Sequence, residues 1–149
     1  MGEAARLIGV FFEPAKTFED IAARPSFWVP LLLMMAFGVA YMALFSQHVG
    51  WERMMRHQME TSSRSAQLTQ EQRDAQLQMG LKVAPVAGYV GVALGMPLTL
   101  VISAGILLGI VKGMMSVPLR FKQVFAIVCY AGMPGLIFMV LAIVVMFMK

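Results

Sequence analysis

Few residues in this chain are of a type that does chemistry. The histidines are His48 and His57, and the one cysteine is Cys129. Two histidines with no cysteine beside them do not supply a four-ligand zinc site. The stretch MMRHQM, residues 54 to 59, offers thioethers and an imidazole, donor types that suit copper(I). The chain has 15 methionines, so such a cluster arises easily, and an apolar helix face is the preferred reading. Cys129 sits in an apolar run, where a thiol is inert. Two histidines and loop carboxylates do not assemble a nucleophile, a base and an orienting acid. No catalytic residue, metal site or cofactor site is expected, and the chain is not read as an enzyme.

The elements that would position any site are membrane spans. Of the 149 residues, 59% are hydrophobic and 13% charged, against about 25% charged in a soluble domain. Mean hydropathy is +0.74. Charge is absent from Pro25 to His48, from Val83 to Val111 and from Gln123 to Met148. Roughly 20 apolar residues cross a bilayer as a helix. The expected fold is an all-α integral membrane protein with three transmembrane helices, an amino-terminal interfacial amphipathic helix and a helical extramembrane loop. As one membrane domain it divides into an interfacial segment (1–25), span one (27–47), a polar helical loop (48–82), span two (84–111), a basic linker (112–122) and span three (123–148). The net charge of +4 fits basic loops at anionic head groups. No basic run interleaved with aromatics points to nucleic acid.

Three prolines punctuate FFEPAKTFEDIAARPSFWVP, residues 11 to 30. Pro14 can open a helix, Pro25 stops it, and Pro30 falls in the first turn of the next, with Ser26 as its cap. Phe18, Ile21 and Ala22 share a face of the short helix between them. With Phe11 and Phe12, Phe18 and Ile21 form an expected apolar wedge lying in the head-group layer. In the loop, GWERMMRHQMETS suggests a second surface helix, SSRS breaks it, and Thr69 with Gln72 reads as a capping box. Span two is longer than a bilayer needs, and Pro97 is its expected kink. Pro134, between Gly132 and Gly135, should bend span three, because it cannot donate to the Tyr130 carbonyl.

Ionisable groups inside spans mark transport paths, and these runs hold none. The polar residues at depth are Tyr41, Ser46, Tyr89, Thr99, Ser103, Cys129 and Tyr130. Gly91 and Gly95 form one GxxxG, and Gly105, Gly109 and Gly113 extend the spacing. Such faces let helix backbones approach closely, either among these three spans or against another copy or another membrane protein. Orientation from charge is a tie, broken by the basic linker with Lys112, Arg120 and Lys122. The other side carries Arg53, Arg56, Arg64, Arg73, Lys82 and Lys149. Short loops obey the positive-inside rule best, which places the amino terminus in the cytoplasm of a multi-pass cell-membrane protein.

Two stretches together resemble the Yip family, the Ypt/Rab-interacting proteins, in its bacterial branch. One is the series Pro14, Phe18, Ile21, Pro25, Pro30. The other is FKQVFAIVCYAGMPGL, with Phe121, Lys122, Gln123, Tyr130 and Pro134. The loop segment LTQEQRDAQ is also similar. The resemblance implies an all-helical membrane domain with a cytoplasmic amino terminus. It implies small-GTPase partners only for eukaryotic relatives, whose DLYGP-type motif is missing here, so that partner is not carried over. Relatives usually have five spans, so three spans suggest a short or truncated member. The expected function is a non-enzymatic scaffold or adaptor in membrane organisation or trafficking-like processes, with the bilayer and a second copy or another membrane protein as partners. The alternative is a subunit of an oligomeric channel or transporter, its path lined by Thr99, Ser103, Gly105 and Gly109.

Overall fold

Proline sets the first two breaks. A residue preceding proline is pushed out of helical geometry. Glu13 and Arg24 accordingly take nearly the same extended-side conformation, with φ −134° and −133°. They bound α2 (Pro14–Ala23), which follows α1 (Glu3–Phe12) after a single residue. The two short helices fold back on one another as a pair. In a computed structural model of the chain, residues 1–63, 67–115 and 117–148 are described. Arg64, at the SSRS break, and Lys149, one of the charges weighed for orientation, lie outside them.

The helix pair closes around Gly9. A Cβ there would collide with the Thr17 hydroxyl, which donates 2.9 Å to the Glu13 carbonyl. Thr17 is fully buried. The next helix, α3 (Trp28–His48), begins without a side-chain cap, so Ser26 does not fill the expected role. Instead Phe27 flanks its start, with its ring edge-on to Phe125 at 4.9 Å. That aromatic contact holds the turn and moves the helix start on by one residue.

Gly50, at φ 76°, turns α3 into α4 (Trp51–Thr61) in a left-handed conformation open to glycine. The side chains of α4 pack along α5 (Gln70–Val90): Trp51 lies on Gly88, and Met55 on Gly80. Trp51 Nε1 donates to Ser46 at 3.2 Å and so ties α4 to the end of α3. The capping box at Thr69 is present, with Thr69 N–H donating to Gln72 Oε1 at 3.0 Å and Gln72 N–H donating to Thr69 Oγ1 at 3.3 Å.

From Gln70 the helix runs to Met114 without a break, 45 residues in all. At 1.5 Å per residue that is roughly 68 Å, more than twice an apolar bilayer core of about 30 Å. Its first turns run beside α4. Pro97 lacks the N–H that would meet the Ala93 carbonyl. The turn before it, Gly91–Gly95, widens to π geometry, with Met96 N–H reaching the Gly91 carbonyl. Helix α6 (Met96–Ile110) then continues, and a second π turn, Val111–Met115, ends it.

The third apolar segment is α7 (Phe121–Ala131) and α8 (Gly135–Met148). Pro134 interrupts it, and the orphaned Tyr130 carbonyl accepts instead from Met133 N–H at 3.1 Å. The Gly132, Met133 and Pro134 carbonyls continue as i to i+3 bonds, from Gly135, Leu136 and Ile137 N–H, which carry the chain through the bend into α8. Three segments are long and apolar enough to cross a membrane: Trp28–His48, Gln70–Met114 and Phe121–Met148. Only 22%, 6% and 6% of their apolar windows are buried within the chain. The rest is an apolar surface suited to acyl chains rather than water. Internal packing is concentrated around α7, where Ile21, Met34, Ala104, Phe125, Cys129 and Met133 meet.

Candidate functional site

The inward face of α1 carries Arg6, Gly9 and Val10, spaced i, i+3, i+4. An arginine on a buried stripe needs partners for its donors. Arg6 is 3% exposed and has four acceptor contacts. Its Nε donates 2.8 Å to Asp20 Oδ2, and Nη1 donates 3.3 Å to Glu3 Oε1. Nη2 reaches the Arg24 carbonyl at 3.0 Å and the Asp20 carbonyl at 3.4 Å. One guanidinium thus joins α1 to α2 and satisfies carbonyls at the α2 carboxyl end, where a cation also complements the helix dipole.

The cluster also reaches α7. The Tyr130 hydroxyl donates to Glu3 Oε2. Gln123 Nε2 donates 2.8 Å to the Ala22 carbonyl. The Met1 amino group donates 2.9 Å to Asp20 Oδ1. Tyr130 has no exposed surface. Amino-terminal helices and span three are therefore fastened by polar groups inside an apolar seam. Burial works against the Arg6 charge, but the Asp20 hydrogen bond and the charges of Asp20 and Glu3 outweigh it and raise its pKa. Hydrogen bonds from the Met1 amino group and from Arg6 hold the Asp20 carboxyl below its ordinary value.

This arrangement fastens the helix pair. Arg6 is closed over, and a cavity of about 290 Å³ beside α1 is lined by Met1, Ala5, Ile8, Gly9, Phe12 and Glu13. Among the described residues no three of His, Cys, Asp and Glu gather as a metal-binding set.

Of the four residues read as a wedge, the structure turns two outward and two inward. Phe12 is 82% exposed and Phe11 43%. Ile21 has no exposed surface, and Phe18 packs against the core. The outward apolar edge is completed by Ile8, at 62%. The glycine ladder is also outward: among the described residues, a Cβ on Gly91, Gly95, Gly105, Gly109 or Gly113 would meet nothing within 4 Å beyond its own helix backbone. The close approaches within the chain are made at Gly9, Gly38, Gly80, Gly88 and Gly132. Thr99 is exposed, and its hydroxyl donates 2.8 Å back to the Gly95 carbonyl.

The two motifs that are far apart in sequence come together. The helix between Pro14 and Pro25 packs along α7, with Gln123 bonded to it. Phe121 stacks on Phe125 at 5.9 Å, and Phe125 in turn meets Phe27, ahead of Pro30. Lys122 is exposed beside them. Arg6, Glu3 and Asp20 were not singled out in the sequence. The available signal was opposite charge on two short helices joined at a proline.

No curated protein and no solved structure matches the chain. A family model, the Yip1 domain, matches residues 8–148 and so takes in both motifs and all three apolar segments. With a docked amino-terminal helix pair, three spanning segments and that match over nearly its whole length, the chain belongs to the Yip family of membrane proteins.

Proposed function

We propose that the protein is a non-enzymatic membrane scaffold or adaptor whose working surface is the docked amino-terminal helix pair. The observation that carries this reading is the buried Arg6 cluster: it holds the pair rigidly on α7 while Ile8, Phe11 and Phe12 project outward. A flexible amphipathic tail would need no such fastening. The projecting edge enters the head-group layer as a shallow wedge, on the cytoplasmic side by the charge of the 112–122 linker. Partners are membrane proteins or a second copy, met at the helix pair or on the outward glycine face.

Phe12→Glu tests the reading at an exposed position, so the fold is spared. Partners are crosslinked in native membranes and recovered with wild type, Phe12→Glu and Arg6→Ala. The adaptor reading expects a partner set lost or sharply reduced in both variants. Identical recovery from all three would contradict it.

The outward placement of Thr99, Gly105 and Gly109 supports a second reading, an oligomeric channel or transporter subunit with its path between copies. Ion or osmolyte flux in sealed liposomes containing purified protein would favour it, and silence across several conditions would remove its support.

A further inference from the structure

Near the carboxyl ends of α3 and α8, which pack together, lies a groove of about 660 Å³. That is within the range of about 300–1,000 Å³ of small-molecule sites. Its walls are Tyr41 and Phe45 from α3 and Val145, Met146 and Phe147 from α8. These residues sit in the last turns of two segments that are long and apolar enough to cross a membrane. Arg53, from the first turns of α4, stands at its rim.

Charge chooses the occupant. Arg53 is exposed and has no ion pair among the described residues. Its neighbour Glu52 is already taken up by Arg56, at 2.7 Å. Glu60 is seven residues further on, about 10 Å along the helix. A second cavity, about 620 Å³, is walled by α4 and shares Val49 and Arg53 with the groove. The two spaces therefore adjoin at Val49 and Arg53, the groove lined mostly by apolar side chains and the second cavity by charged ones of both signs, Glu52, Arg56 and Glu60 among them. His48 lines the groove, its ring 4.2 Å from that of Phe147.

We propose that this end of the molecule holds one anionic phospholipid, an acyl chain between α3 and α8 and the phosphate on Arg53. An acyl chain fits the aromatic and aliphatic walls. A phosphate supplies the charge that Arg53 lacks. The adjoining polar cavity leaves room for the rest of the head group.

Trp51 reports on the site, because its ring lies 5.3 Å from Phe45 in the groove wall. In a Trp28→Phe background it is the single tryptophan. The protein is reconstituted in phosphatidylcholine, and brominated phosphatidylglycerol or brominated phosphatidylcholine is titrated in while Trp51 quenching is followed. Phosphatidylglycerol should be preferred by about fivefold, the factor one cation near the surface contributes toward anionic lipid. Arg53→Gln should abolish the preference, and Arg53→Lys should keep most of it. Ala142→Phe, which fills the groove from α8, should weaken quenching by both lipids. Equal quenching by the two lipids in the parent protein would overturn the proposal. So would a Lys82→Gln control that lost as much preference as Arg53→Gln, since that would show only diffuse surface attraction. Glycerol phosphate should not relieve quenching; relief would mean that a free phosphate, not a lipid, is what Arg53 binds.

Discussion

Removing the Arg6 guanidinium should loosen the amino-terminal helix pair without unfolding the spans. In Arg6→Ala, four donor contacts disappear: one to each of two carboxylates and two to carbonyls at the end of α2. Breaking a fully buried ion pair costs about 3–5 kcal/mol. Here the stranded partners keep some water, since Asp20 is 21% and Glu3 37% exposed, and Asp20 retains the Met1 amino group. That argues for a smaller cost, about 2–3 kcal/mol, the upper part of the range for a hydrogen bond to a charged group. At about 1.4 kcal/mol per tenfold, amide hydrogen exchange in α1 and α2 should speed up by roughly 30- to 140-fold. Exchange in α6 and α8 should be unchanged, because among the described residues neither helix hydrogen-bonds to Arg6, Glu3 or Asp20. Arg6→Lys should recover only part of the protection, since one ammonium cannot serve two carboxylates and two carbonyls in the guanidinium's fork. Unchanged exchange in α1 and α2 of Arg6→Ala would show that apolar packing alone holds the pair.

Tyr130→Phe removes the hydroxyl from Glu3 and keeps the ring; α1 exchange should rise by the equivalent of about 1–2 kcal/mol, with thermal melting of the spans unaffected. Asp20 has a folded-state pKa below its unfolded value, so its contribution is complete above the unfolded value near 3.9 and disappears as pH falls through the folded one. Protection of α1 and α2 should therefore hold at neutral pH and collapse in acid, and Asp20→Asn should lower it at neutral pH and flatten the acid limb. Gly9→Val forces a side chain into the space of the buried Thr17 hydroxyl and should destabilise the pair by about 1–3 kcal/mol, whereas Gly109→Val, facing outward, should leave the melting of the chain alone.

The spans were readable because long charge-free runs have one solution in a bilayer, and the three prolines because each has a local effect that no distant contact reverses. The pre-proline residues Glu13 and Arg24 show this directly: two unrelated residues, one conformation. What could not be read was the direction each face points. Ile21 and Phe12 are equally apolar, yet one is fully buried and the other 82% exposed, because α7 covers only one side of the pair. The glycine ladder was open in the same way, since GxxxG spacing marks a face but not its neighbour. Arg6 was hidden for a different reason. A single arginine among apolar residues looks like a solvated charge until Asp20, Glu3 and the end of α2 are folded around it.

Clamping of the amino-terminal pair to span three in the membrane can be measured with a short thiol crosslinker between Ala22→Cys and Gln123→Cys, in a Cys129→Ala background, in native membranes. These positions are in hydrogen-bond contact in the folded chain. Intrachain crosslinking should be rapid and near-complete, and should fall sharply when Arg6→Ala is added. No crosslink in the parent, or one indifferent to Arg6, would contradict such clamping.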